Sequence, residues 1–461
     1  MSPDQPFGQA APPHTGQPTH DTAPMDARRA LALALSAAGP LSDPLELPSG
    51  GLAWPRHPDG GEPDPTFYYG TAGIVPLLLD LARATGDKTW TSRALRGGAY
   101  LAALPLQDLE PGLVRGVAGV GHTLALLAQQ TGEDTFRRAA LAGGDELLRR
   151  ATPDNDRDNG TGLHWQGWTD LDGGTAGIGL ALTRISALDG GERHLDTASR
   201  AAAWLLRHSH DDGRGTTYWD AGTWVPPQGV HADAHRRGKL IFPNLVHGTA
   251  GIGYFLALLY ERTGDSAYIR VAEQAAGHLW RLLTAEPTGL VHHQRDDGES
   301  LYYLGHCHGP AGTGRFFATL ARRSPDPRWP AAVRLGADAL TSRPLAPGSE
   351  AGLWVNYGNC CGLAGIGDFL LHAHRESGNP GHLAAAVKLA TIIETHRTDG
   401  GWPHAEHRRL PGQVRAFLGW DQGTAGIAGF LLHLRTVLAG TPRSVSTPFN
   451  AWEHPAGAPR P

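Results

Sequence analysis

Apolar residues fall along this chain in runs that begin, again and again, just after two glycines three residues apart. In Tyr254-Phe255-Leu256-Ala257-Leu258-Leu259-Tyr260 every position is apolar or aromatic, and the run closes at Gly264 and the polar Asp265. Such a run, ended by Gly, predicts a helix buried all round. Between these runs lie segments of another kind. Tyr268 to Leu283 and Leu383 to Thr395 carry Ala, Leu, Val and Ile at three- and four-residue intervals, which predicts helices with one buried face.

The glycine pairs form a repeat. Tyr69-Gly70-Thr71-Ala72-Gly73-Ile74 is followed by Arg115-Gly116-Val117-Ala118-Gly119-Val120 and Gly173-Gly174-Thr175-Ala176-Gly177-Ile178. Then come His247-Gly248-Thr249-Ala250-Gly251-Ile252, His308-Gly309-Pro310-Ala311-Gly312-Thr313, Cys361-Gly362-Leu363-Ala364-Gly365-Ile366 and Gln422-Gly423-Thr424-Ala425-Gly426-Ile427. The seven first glycines are 46 to 74 residues apart, room for two helices and their loops. Small residues at a helix start allow close backbone approach, and the start aims unpaired amides at whatever precedes it. The predicted fold is therefore all-α: an α/α toroid, a double ring of about 14 helices with the Gly-x-x-Gly helices inside. An open solenoid is the alternative, but dedicated polar caps are not evident at either end of the array, and closure removes the need for them. Gly-x-x-Gly by itself means tight packing, so the chemistry is sought in the residues just before each first glycine.

Composition adds boundaries. Residues 1–26 and 441–461 are rich in Pro and polar residues and predict disordered tails around a toroid spanning 27–440. Net charge is −5 without a dense Lys/Arg run, which argues against nucleic acid and anionic membranes. No apolar stretch approaches the roughly 18 residues of a membrane span. With 3 cysteines and no secretory leader, a reducing cytoplasmic compartment is expected.

Those cysteines carry the chemistry. Cys307 lies in Gly305-His306-Cys307-His308-Gly309, and Cys360 and Cys361 lie in Asn359-Cys360-Cys361-Gly362, all one or two residues ahead of a repeat glycine. The placement predicts one thiolate site for Zn2+, which soft sulfur ligands select. A vicinal disulfide or three buried apolar thiols are the competing readings. Three protein ligands leave a position open; a closed site would recruit His308 or His306, though side chains adjacent to a ligand in an extended loop tend to point away. An open three-thiolate zinc has a formal charge of about −1 and is a poor Lewis acid toward carbonyls. It is suited to binding and deprotonating another thiol, whose free pKa is about 8.5. Sulfur attack on an electrophilic carbon follows, and it needs a proton donor. His247 is the candidate, with Asp170 or Asp172 to orient it; either aspartate is equally suited to capping the next helix.

On these residues the chain resembles the lanthionine synthetase C-like cyclases, which form thioether rings in ribosomal peptides. The resemblance runs through all seven repeats. It matches the family's Cys-x-Gly element to Cys307-His308-Gly309, its Cys-Cys-Gly variant to Cys360-Cys361-Gly362, its histidine to His247, and its aspartate to Asp170 rather than Asp172. It implies a zinc held by Cys307, Cys360 and Cys361 that activates a cysteine of a precursor peptide. That sulfur adds to dehydroalanine or dehydrobutyrine, with His247 and Asp170 managing the proton. Cys361 departs from the commoner histidine, and His308 stands where an aromatic or amide side chain is more familiar. Only about 45 residues precede the first helical pair, so the dehydratase is expected on another chain. Two rivals remain from the residues alone: a toroid glycosidase using Asp170, Asp172 and Asp421, which has no use for three thiolates, and a zinc-stapled scaffold that binds a peptide or protein partner.

Overall fold

The computed structural model describes residues 24–156, 160–188, 190, 192–222, 241–285, 289–290, 302–350, 352–408, 410–441 and 447–453. Fourteen α-helices lie among them. In chain order they are α1 Ala27–Ala37, α2 Thr71–Thr85, α3 Lys88–Ala102, α4 Val117–Thr131, α5 Asp134–Arg149, α6 Thr175–Ile185 and α7 Glu192–Arg207. The rest are α8 Thr249–Thr263, α9 Ser266–Ala285, α10 Pro310–Ala321, α11 Arg328–Thr341, α12 Leu363–Ser377, α13 Pro380–Thr395 and α14 Thr424–Leu438.

Every even-numbered helix starts at the residue after a repeat's first glycine and is buried on nearly all sides. These seven form an inner ring in which each packs on the next and α14 packs on α2. Six of the odd-numbered helices lie outside, each against the inner helix before it. The seventh outer place is taken by α1, which packs on α14 from the opposite end of the sequence. The α/α toroid is therefore closed, and α1 supplies the closing clasp. Short two-stranded antiparallel hairpins decorate the loops, for example His404–Ala405 with Val414–Arg415.

The glycines are there because backbone occupies the space a side chain would need. A Cβ on Gly119 would sit 2.1 Å from the Leu113 carbonyl oxygen, and one on Gly365 would sit 1.9 Å from that of Asn359. In all seven repeats the intruding oxygen belongs to the residue six before the second glycine, so the preceding loop folds tightly over its own helix start. That loop also uses the amides that a helix start leaves unpaired. Val117 N donates to Glu110 O, Thr249 N to Phe242 O and Thr424 N to Phe417 O, a constant offset of seven. In the fifth repeat the equivalent residue is Pro310, which has no N–H to satisfy. The helix starts thus face their own loops. A further glycine two residues on receives an aromatic ring from the next inner helix: Phe316 against Gly253, Phe369 against Gly314 and Phe430 against Gly367.

The loops are joined to each other around the ring. Tyr68 N donates to Val114 O, Val114 N to Asp172 O, and Leu171 N to Val246 O. The series continues with Val246 N to Cys307 O, Cys307 N to Cys360 O, Cys360 N to Asp421 O, and Asp421 N back to Tyr68 O. This closed girdle of backbone bonds passes two residues before each first glycine, slipping by one only at Leu171. It sets adjacent loops at hydrogen-bonding distance. Buried tryptophans brace the same loops from outside: the indoles of Trp165, Trp219 and Trp402 donate to Leu147, Leu205 and Ile393, two residues before the ends of α5, α7 and α13.

The expected C-terminal tail, 441–461, needs correction in part. Residues 447–453 return to the ring and Pro448–Glu453 forms a 3-10 turn, with Thr447, Phe449 and Asn450 buried. An apolar Phe inside a polar, proline-rich stretch finds its place only through tertiary contact. Residues 442–446 and 454–461, and all but 24–26 of the expected N-terminal tail, lie outside the described residues.

Candidate metal centre

Cys307 and Cys360 occupy the same position of the girdle in successive repeats, two residues before Gly309 and Gly362, and are joined there by the Cys307 N–H to Cys360 carbonyl bond of 3.0 Å. Their side chains share one end of the ring. The Cys361 sulfur lies 3.3 Å from that of Cys307 and 3.5 Å from that of Cys360, and all three lie within 4.8 Å of one another. A tetrahedral zinc with Zn–S bonds of about 2.3 Å requires sulfurs roughly 3.8 Å apart, so the cluster fits the ion with small adjustments. None of the three forms a disulfide. Cys361 gives up its proton first, its pKa lowered to about 5 by hydrogen bonding with the Cys307 and Cys360 thiols. A cluster with one ready thiolate and two more sulfurs in reach is a metal-binding donor set.

Behind the sulfurs is a supporting layer. Gln422, the residue before Gly423, donates from Nε2 to the Tyr68 hydroxyl at 2.8 Å and toward Cys361 Sγ at 3.9 Å, while its Oε1 accepts from Asn356 at 2.9 Å. Such a network orients ligands and supports negative charge on sulfur.

His247 stands on the fourth repeat's loop. Its Nδ1 is 2.9 Å from Asp170 Oδ2, and its ring centroid is 5.1 Å from that of His308. Burial alone would push the His247 pKa down; the hydrogen bond and charge of Asp170, with Asp172 and Cys360 adding, more than offset it and raise it. Asp170 does two jobs. Its Oδ1 accepts the amides of Gly173 and Gly174 at 3.1 and 2.8 Å, fixing the loop just ahead of α6, while Oδ2 holds the imidazole. Asp172 faces Arg115, whose charge opposes the rise that burial causes in its pKa.

His308 and His306 part company. His308 Nδ1 lies 3.0 Å from the Cys307 sulfur, and its ring meets Tyr303 at 5.4 Å. His306 turns to the centre of the ring, edge-on to Phe449 at 4.9 Å, and so is no partner for the thiols.

The three cysteines, His247, His308 and Asp172 line one cavity of about 480 Å³. Residues immediately before the first glycine face it from six repeats: Tyr69, Arg115, Gly173, His247, His308 and Cys361. Trp168, Phe242, Tyr303 and Trp354 supply aromatic walls, and Glu406 and Arg408 add charge. Arg408 Nε donates to the Tyr303 hydroxyl at 2.7 Å, and Tyr69 donates to Glu406.

The family described as Lanthionine synthetase C-like protein matches residues 54–371, more than half of the chain. The chain belongs to the lanthionine synthetase C-like family. Among solved structures, nisin cyclase is similar at 15% identity over 81% of this chain and 88% of that chain, with a TM-score of 0.57. A D-mannose isomerase aligns at 12% identity over 90% of this chain and 96% of that chain, with a TM-score of 0.48. None of the curated proteins matches the sequence. No described helix is long and apolar enough to cross a membrane. On this lanthionine synthetase C-like scaffold the structure brings together the five residues that the family resemblance implied: three thiols in one cluster, and His247 in the same cavity with Asp170 bonded to it. Sequence reasoning passed over Tyr69, Arg115 and Gln422, although all occupy the position before a first glycine. Glu406 and Arg408 come from the loop before the seventh repeat, where the sequence carries no motif.

Proposed function

We propose that the chain is a zinc-dependent cyclase that adds a cysteine sulfur of a dehydrated precursor peptide to dehydroalanine or dehydrobutyrine, closing lanthionine or methyllanthionine rings. The observation that carries the reading is the convergence on one cavity of this family's fold of three thiols and His247, which is bonded from behind by Asp170.

Cys307, Cys360 and Cys361 would hold the ion. Bound there, zinc would lower the pKa of an incoming peptide thiol and keep its sulfur nucleophilic. The chain's own residues manage the rest. Aromatic walls limit water around the reacting carbon. As the sulfur–Cβ bond forms, the electron pair of the carbon–carbon double bond moves to Cα and the adjoining carbonyl. The imidazolium of His247 gives a proton to Cα, and the proton lost from the thiol leaves through solvent, so the reaction is an isomerisation. Asp170 bonds Nδ1 and stabilises the charged ring, which makes Nε2 the nitrogen that gives up the proton. The dehydrated residues require a separate dehydratase. A peptide loop of one or two residues suits a cavity of about 480 Å³, and a reducing cytoplasmic setting suits three free thiols.

The test is to incubate the zinc-loaded protein with a dehydrated, cysteine-containing peptide and follow thiol alkylation. Cyclisation leaves the peptide mass unchanged and removes its reaction with N-ethylmaleimide. Zinc binding with alkylation undiminished on every dehydrated peptide contradicts the reading and points to a zinc-stapled scaffold.

A further inference from the structure

After α14 the chain comes back to fill the hole of the ring. The Tyr254 hydroxyl on α8 donates to the Pro448 carbonyl at 3.0 Å, and Arg315 Nη1 on α10 donates to the Phe449 carbonyl at 3.3 Å. Arg315 is itself held by Asp368 of α12 at 2.9 Å, and Asp368 also bonds His433 of α14 at 2.8 Å. The turn closes on itself, since Thr447 N and Oγ1 both donate to Asn450 Oδ1. Phe449 is 2% exposed. Its ring lies edge-on to Phe67, ahead of α2, and to His306, with centroids 6.1 and 4.9 Å away.

Two facts meet at this side chain. Phe449 lines the same cavity as the three cysteines, and His306, against which it packs, is the residue before Cys307. The Phe449 carbonyl is held by a buried polar group, Arg315–Asp368–His433, none of whose members lines the cavity. We infer that Phe449 is the floor of the site: it shuts the toroid's hole under the thiol cluster and sets how deeply the residue beside the reacting cysteine can enter. This rests on the peptide-cyclase reading for its substrate, and on the packing alone for the floor. A blind cavity has one mouth, so peptide enters and thioether product leaves on the same side. Size selection then resides in the C-terminal turn, which lies outside the seven repeats.

Two measurements on the full chain test this. Hydrogen exchange of the Thr447 and Asn450 amides is expected to be at least about 10-fold slower than in a free peptide, and Phe449→Ala is expected to abolish that protection. Exchange at free-peptide rates in the unaltered chain overturns the floor, whatever the protein's activity. The second uses cobalt(II) in place of zinc and reads sulfur-to-metal charge-transfer absorption as thiols are added. Phe449→Ala and the milder Phe449→Leu are expected to bind a bulky aromatic thiol about 10-fold more tightly while 2-mercaptoethanol changes less than about 3-fold. Equal effects on both thiols, or none, overturn the size-selecting role. If the unaltered cobalt protein takes up no thiol, the cyclase reading fails and the exchange result alone decides the floor.

Discussion

The positions one and two residues before the first glycine have nearly the same backbone setting in the second repeat and in the sixth. Val114 and Cys360 both bond across the girdle, Val114 to Asp172 and Cys360 to Asp421, and both are followed by a helix whose glycine admits a loop carbonyl. In the second repeat the pair is Val114 and Arg115, and nothing there can hold a metal. In the sixth it is Cys360 and Cys361, and with Cys307 of the fifth they bring three sulfurs within 4.8 Å. The scaffold is thus one construction used seven times, and the candidate chemistry is three side-chain choices made on two adjoining copies. Those copies are consecutive in the chain and pack side by side in the ring, with His247 one repeat away.

The comparison can be broken most severely at the sulfurs. Cys360→Ala should lower zinc affinity at least about 10³-fold and stop cyclisation, whereas Val114→Ala at the equivalent place should leave the metal bound, both read by metal analysis after dialysis. Replacing the histidine of the fourth repeat comes next. His247→Ala should slow cyclisation by about 10² to 10⁴ with zinc retained, and an unchanged rate removes its proton-transfer role. The glycines test the shared backbone: Gly119→Ala and Gly365→Ala, placing a methyl 2.1 and 1.9 Å from a carbonyl oxygen, should each cost about 3 kcal/mol in denaturant unfolding. If only Gly365→Ala destabilises, the repeats are not equivalent. The smallest effect belongs to acid. Burial lowers the pKa of His404 to about 4, below its unfolded value of about 6.5, so its contribution is complete above that value and falls as pH falls. A loss of about 1 kcal/mol by pH 5.5 is expected from His404, of equal size in Cys360→Ala and the unaltered chain.

Much of this was legible in the residues. The glycine repeat announces the toroid because only glycine tolerates a carbonyl at the Cβ position, and the thiols stand beside that punctuation. The aspartate could not be chosen from spacing, because Asp170 and Asp172 are both placed to cap α6; only the folded loop shows that Asp170 fixes the turn ahead of α6 with one oxygen and holds His247 with the other. The clasp made by α1 was hidden for another reason, since a helix of small apolar residues carries no sign of partnering one some 390 residues later. Phe449 was hidden in the same way, because a polar, proline-rich stretch reads as tail until the hole it fills exists.

X-ray absorption at the zinc edge tests the central claim most directly. Three sulfurs at about 2.3 Å and one lighter atom, the latter replaced by a fourth sulfur when a small thiol is added, is the result predicted. Fewer than three sulfurs, an imidazole that stays in place when thiol is supplied, or no stoichiometric zinc would contradict it.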